Sequence, residues 1–363
     1  MKEKVSILII GPFPDPISGV SIANKVVRDV LKSEPNFSVS SIDTSYPVFD
    51  EEVGGFSIKK MVFYLRINTS LIKIFKNKII YITPGQTFFG VLKYSSFILI
   101  SSLFNKELII HVHGNYLMEE YKSLKGMKKY IFKFLISKFT KGIVLSVSLK
   151  KNLTPFIPDN RIFCLPNFAE DYLIKENSEL EKSEIRIFYL SNLMKEKGII
   201  CLLKALKKLE KNKIKYHARI AGNIAIKNSV EILELVNELD NTEYIGVVSG
   251  KNKKNLLDWG NIFVLPTFYK MEGQPISILE AMATKNVIVT TDHAGISDIF
   301  KDTINGFFVE KNNVDSIYNI LSYIGLNRIE IEKIGMYNQK YFLNNFTLNN
   351  FKINLLEIFN VDK

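Results

Sequence analysis

At 363 residues the chain is longer than one typical core absorbs, and with 47% apolar residues it has enough to bury two. Its formal charge of +11 suits an anionic substrate or an anionic lipid surface better than nucleic acid, because the lysines are spread along the chain and no nucleic-acid motif accompanies them. The two cysteines, Cys164 and Cys201, sit in apolar stretches without pair spacing, which speaks against a disulfide framework or thiolate metal site and for a reducing compartment.

In chain order, residues 5–10 are a continuous apolar run, the pattern of a parallel strand covered on both faces. The run is too short for a signal-peptide core and ends in proline turns, so a cytoplasmic location is expected. Residues 11–19, GPFPDPISG, form a turn-rich loop, and a helical pattern begins near Val20 or Ser21 and runs to Leu31. Strand, glycine loop and helix open a doubly wound sheet. The loop lacks GxGxxG, and a tight turn without a ligand explains it nearly as well as a binding loop does.

A second strand is expected over 37–42, a basic amphipathic helix over 57–75, and a strand over 79–82 ending in Thr83-Pro84-Gly85. Residues 88–104 read as one helix, buried or on the surface, shorter than a spanning helix needs. The strand over 108–112 ends at His113-Gly114, with His111 and His113 on the same side. Residues 116–139 read as one or two helices carrying Lys122, Lys125, Lys128, Lys129, Lys133 and Lys138. Such a stretch either lies on an anionic membrane or presents a solvated face. A strand over 142–145, a helix from about Ser148 and a strand over 162–165 complete the first half. The polar run 178–183, SELEKS, is an expected hinge.

The second half repeats the architecture. Strands are expected over 185–190, 216–220, 242–245, 261–265, 287–290 and 306–309, with helices over 198–209, 229–239 and 251–259 and a helical pattern from Val314 to near the end. The stretch 266–283, PTFYKMEGQPISILEAMA, is the most informative. A short buried strand leads into a loop carrying Glu272 and Gly273. Pro275 is then suited to the first turn of a helix whose apolar positions are Ile276, Leu279 and Met282. Glu280 falls in its second turn. A helix start offers free N–H groups and a dipole to phosphate. Two carboxylates beside it would repel that phosphate unless they bind the hydroxyls of an attached sugar, which points to a sugar nucleotide.

Glu272-Gly-Gln-Pro-Ile-Ser-Ile-Leu-Glu280 resembles the EX7E motif of retaining glycosyltransferases of the GT4 family, also called glycosyl transferases group 1. The resemblance covers nearly the whole chain and is most specific in the second half. It implies the GT-B fold: α/β, two doubly wound Rossmann-like domains facing a cleft. Residues 1–168 would form the acceptor-side domain, 169–183 the hinge and 184–344 the donor domain, with a terminal helix of about 345–363 packing back on the first. The same resemblance implies that Glu280 binds the nucleotide ribose, that Glu272 stands near the donor sugar, and that Lys197 meets the diphosphate. Gly273, Gln274, Pro275, Ile276 and Ser277 would surround the leaving group. Gly19, in the pair Ser18-Gly19, and Gly222 would line the donor site, and His113 would touch donor sugar and acceptor. Asn167 and Thr267 are further cleft candidates. The family usually has arginine five residues before the lysine of this clamp; here Asn192 stands there, a donor without charge.

The expected activity is metal-independent, retaining transfer of a hexose from a UDP- or GDP-sugar to a glycan or polyprenyl-linked acceptor in bacterial surface-polysaccharide synthesis. No cofactor is implied beyond the donor substrate, and the first half would rest on an anionic membrane face. Two alternatives stand beside it: a nucleotide-sugar-binding partner subunit without turnover, and a glycosyltransferase of soluble acceptors.

Overall fold

The computed structural model describes residues 4–15, 18–46, 63, 66–175, 184–224 and 226–360. The expected hinge run 178–183 and most of the expected helix over 57–75 lie outside the described residues. The chain divides into two compact units: Met1–Pro166 with Met271–Gln274 and Lys352–Lys363, and Asn167–Lys270 with Pro275–Phe351.

The first unit holds six strands, β1 (Val5–Gly11), β2 (Phe37–Asp43), β3 (Ile79–Ile82), β4 (Glu107–Val112), β5 (Lys141–Val144) and β6 (Ile162–Cys164). All pair in parallel in the order β2-β1-β3-β4-β5-β6. Helices α1 (Gly19–Ser33), α2 (Ile72–Phe75), α3 (Phe88–Leu92), α4 (Ser95–Leu103), α5 (Leu117–Ser123) and α6 (Gly126–Ile136) accompany them. The run over 5–10, read as a two-faced strand, is buried from Ile7 to Ile10, and with the equally buried Ile79 to Ile82 and Leu108 to Val112 it forms the centre of this sheet. Strand order reverses between β1 and β3, the place where open parallel sheets leave a crevice at their carboxyl ends. There Asn24 of α1 donates through Nδ2 to Pro12 O at 2.9 Å and Thr83 Oγ1 at 2.8 Å. Helix α1 begins earlier than its apolar pattern because Ser18 and Ser21 cap it reciprocally: Ser18 Oγ accepts from Ser21 N at 3.1 Å, and Ser21 Oγ from Ser18 N at 2.8 Å.

Two expected helices differ. The stretch 88–104 is broken at Lys93-Tyr94, where Tyr94 turns its ring into the core and shares a 2.8 Å hydrogen bond with Thr44. In place of a helix from about Ser148 there is a 3₁₀ turn, Val147–Asn152. Buried Asn152 spends its side chain there on Met118 N–H and Leu149 O.

The second unit has strands β7 (Arg186–Leu190), β8 (His217–Ala221), β9 (Thr242–Gly246), β10 (Ile262–Leu265), β11 (Val287–Thr290) and β12 (Gly306–Phe308), in the order β12-β11-β10-β7-β8-β9. Numbered within the unit this is 6-5-4-1-2-3, the doubly wound dinucleotide-domain order, with its reversal between β7 and β10. Its helices are α7 (Ile199–Lys211), α8 (Ile226–Asn237), α9 (Gly250–Trp259), α10 (Ile276–Ala283), α11 (Val314–Leu326) and α12 (Arg328–Asn345). A last helix, α13 (Leu348–Asn360), ends with the first unit: Phe359 lies edge-on to Phe37 with centroids 6.2 Å apart, and Lys352 Nζ is 2.9 Å from Glu34 Oε1.

Candidate functional site

In the second unit the reversal between β7 and β10 brings two loops side by side. After β7, Ser191 and Asn192 lead to a short turn, Lys195–Lys197, and then to Gly198 at φ +82°. Gly198 is required for two reasons: its left-handed backbone, and the Pro266 carbonyl packed where a Cβ would sit. The loop after β10 is stitched to this turn by Phe268 N–H donating to Glu196 O at 2.8 Å. Lys197 Nζ stands 5.1 Å over the Tyr269 ring. Asn192 is exposed, and its carbonyl accepts from Tyr189 Oη at 3.0 Å. Gly222, after β8, packs against the Ser191 carbonyl at φ +145°.

Helix α10 starts beside these loops. Pro275 is its N-cap, with φ −62° and ψ 122°, one position before the first turn where it was expected. Proline fits there because its fixed φ suits the entry, but it offers no side-chain acceptor. The first turn at Ile276 and Ser277 therefore lacks a side-chain cap, which leaves the helix start suited to an outside anion.

Glu280, one turn further, is buried and ion-paired. Its Oε1 lies 2.6 Å from Nζ of Lys253 on α9, and the same ammonium is 3.8 Å from Glu170 Oε2. Burial pushes the Lys253 ammonium down, but the Glu280 charge and hydrogen bond, with Tyr172 and Glu170, more than offset this and hold it above the ordinary lysine range. Tyr172 is held above the ordinary phenol range, by burial first, with Glu170 and Glu280 raising it and Lys253 lowering it. Lys253, Glu170 and Tyr172 were not visible as site residues in the sequence. Lys253 sits in the helix expected over 251–259, and Glu170 and Tyr172 in the expected hinge 169–183.

Glu272, Gly273 and Gln274, like His113 and Gly19, group with the first unit. Gly273 packs so closely on the His113 carbonyl that a Cβ would collide with it, and would also lie 2.9 Å from Leu145 Cδ1. Gln274 Nε2 reaches Leu145 O at 3.5 Å, and Gln86 Nε2 reaches Met271 O at 3.4 Å. Glu272 is thus a buried carboxylate next to the loop that ends β4. In that loop His113 stacks on His111, and the Nε2 atoms of both rings are buried without a hydrogen-bond partner. Burial holds His113 down at about 4, so its imidazole is neutral at ordinary pH. His111, fully buried, meets Tyr81 Oη through Nδ1 at 2.5 Å. Gly19 is the exposed first residue of α1. Asn167 and Thr267 are both buried in the second unit.

Among the described residues, no group of three or more His, Cys, Asp or Glu side chains is placed to hold a metal ion, and no helix is long and apolar enough to cross a membrane. The first unit does carry an unusual surface. Helix α6 leaves Met127, Tyr130 and Phe134 exposed along one stripe, with Lys128 and Lys133 also exposed on the same helix. Beside the neighbouring helices, Leu103 is exposed and the rings of Phe75 and Phe104 meet with centroids 4.7 Å apart, each half-exposed.

Comparison with known proteins follows the same division. The chain is similar to the poly(ribitol-phosphate) alpha-N-acetylglucosaminyltransferase of Staphylococcus aureus, 22% identical over 255 residues, which are 69% of this chain and 50% of that protein. The chain thus spans half the length of that relative. It is also similar to the capsular polysaccharide biosynthesis glycosyltransferase CapM of Staphylococcus aureus, 22% identical over 258 residues, 66% of this chain and 67% of that one. In three dimensions it aligns with HepE of Anabaena in complex with UDP at a TM-score of 0.75 and 13% identity, covering 98% of this chain and 100% of the other. The likeness gives the fold, which is GT-B, with two parallel six-stranded α/β sheets. Residues 172–341, which hold Lys197, Glu272 and Glu280, match the family model for glycosyl transferases group 1.

Proposed function

We propose that the protein is a glycosyltransferase of bacterial surface-polysaccharide synthesis that moves a hexose, with retention, from a UDP- or GDP-sugar to a glycan or polyprenyl-linked acceptor. One observation carries this reading. The strand-order reversal of the second sheet sets a lysine loop beside the loop after β10, which leads to an uncapped helix start with a buried carboxylate one turn further on. A nucleoside diphosphate needs these three groups: a cation and oriented N–H donors for the phosphates, and an acceptor pair for the ribose hydroxyls.

In this reading Lys197 and the N–H groups at the start of α10 stabilise the diphosphate as it leaves, an electrostatic role that grows with the charge on the leaving oxygen. Glu280 accepts from the ribose. Glu272 lies near the donor sugar, where its negative charge favours an oxocarbenium-like centre as the bond to phosphate lengthens. Neutral His113, with Nε2 unpartnered, can donate to or accept from a sugar hydroxyl. Ile276, Ser277 and Gly222 border the donor site of the second unit, while Gly273, Gln274 and Gly19 belong to the first. The chemistry requires no metal, since the lysine and helix start supply the positive field. The relatives' names support the polysaccharide context, and the UDP bound to HepE supports a nucleotide donor. The exposed apolar and basic surface of α6 supports a lipid-linked acceptor at an anionic membrane face over a soluble one.

A screen of UDP- and GDP-hexoses for nucleotide release, with and without undecaprenyl-linked glycans, tests this. Release from one donor that rises with an acceptor is expected; no release from any donor would overturn it. Asn192, in place of the family's arginine, favours a second reading as a binding subunit without turnover. Calorimetric binding of a nucleotide sugar with no transfer to any acceptor would establish it.

A further inference from the structure

Glu280 is only 6% exposed and the Lys253 side chain 15%, so two opposite charges have been taken out of water together. Such a pair adds little net stability compared with apolar residues of the same size, yet either partner alone in this place is costly. The pair draws on two helices, α9 and α10, and on the segment just after β6, which brings Glu170 and Tyr172 to the same ammonium. Among the described residues, Glu170 and Tyr172 join Lys253 as the charged and titratable side chains around Glu280.

We infer that Lys253 is a positioning residue for donor recognition, holding the Glu280 carboxylate charged and oriented so that it can accept from both hydroxyls of a ribose. This deepens the proposed function and rests on its reading of Glu280. The physical reason is acceptor count. An ionised carboxylate has only acceptor sites, whereas a protonated one gives up part of them to an O–H donor. A buried carboxylate without a counter-charge takes up a proton more readily. Lys253 therefore sets the preference for a ribonucleotide over its 2′-deoxy analogue, because only the former presents two hydroxyls. Glu170 Oε2, 3.8 Å from the same ammonium, adds a second negative charge beside it.

The test compares dissociation constants for UDP against dUDP, and GDP against dGDP, in the wild type, Lys253→Met, Lys253→Arg and Glu280→Gln, from about pH 6 to about pH 8. The wild type should prefer the ribonucleotide about tenfold across the range, as expected for one charge-assisted pair of bonds. Lys253→Met should lose that preference as the pH is lowered and regain part of it as the pH rises. Lys253→Arg should keep it, and Glu280→Gln should lose most of it at every pH. Should Lys253→Met not fold, as judged by circular dichroism, Lys253→Gln takes its place, with Lys253→Arg as the folded reference. A wild type that binds none of the four nucleotides overturns the proposed function and this inference with it. A wild type that prefers the ribonucleotide, with a Lys253→Met variant that prefers it equally at every pH, overturns the inference alone.

Discussion

The imidazole rings of His111 and His113 stack with their centroids 3.9 Å apart and their planes at 35°. Alternation along β4 puts both rings on one side, and burial keeps both neutral. His113 is held at about 4 by burial, and His111 well below the ordinary histidine range by burial first and His113 second. Histidines with a depressed folded pKa bind protons more readily in the unfolded chain. Their neutral state is without penalty above the unfolded value of about 6.5, and stability is lost as the pH falls from there toward about 4. Thermal melts in this window should show a steeper acid-side fall of Tm for the wild type than for His113→Asn. Equal slopes would count against the linkage.

Glu272 and Lys197 should matter to chemistry more than to folding. Glu272→Gln keeps the shape of the buried side chain and removes its charge, and should lower donor turnover by about 10²–10³-fold, the scale for losing one preorganised electrostatic group. Lys197→Ala should lower kcat/KM by at least about tenfold, as for a lost charge-assisted contact. Rates of donor hydrolysis read both, and wild-type rates in the two variants would remove them from the site.

Asn192→Arg should improve the clamp. The position is exposed, so a longer side chain has room, and a guanidinium can take two phosphate oxygens where the amide brings no charge. Affinity for UDP or GDP should rise by about tenfold. Titration calorimetry checks this, and unchanged affinity would show that another cation already fills the role.

Gly198→Ala should destabilise the second unit. The residue must keep φ at +82° while its new Cβ meets the Pro266 carbonyl. Strain and overpacking together should cost about 2–3 kcal/mol. Urea unfolding measures it, and a loss below about 0.5 kcal/mol, within the range of an ordinary surface substitution, would contradict the packing.

The exposed stripe of α6 should bind anionic vesicles. Replacing Tyr130 and Phe134 together by glutamate removes apolar insertion and adds repulsion, and should abolish flotation with phosphatidylglycerol vesicles. Binding by the wild type should weaken at high salt, since the lysines contribute a screened attraction. A wild type that stays with the soluble fraction at low salt would refute the membrane assignment.

The sequence alone determined the repeating strand and helix pattern, because two-faced strands and one-faced helices leave different apolar periods. Residues 79–82 and 287–290 were legible to the residue for that reason. It also determined the candidates that lie close together in the chain, from Glu272 to Glu280, since a loop and a helix start are local features. The tertiary structure decided what local pattern does not contain. It decided that Tyr94 turns inward and breaks a helix, and that Asn152 replaces one with a tight turn, because in each case a distant partner competes for the polar group. It also decided that Lys253 neutralises Glu280. Twenty-seven residues separate the two in sequence, and only the packing of α9 against the second sheet brings a lysine that local pattern does not single out onto a carboxylate that reads as a ligand.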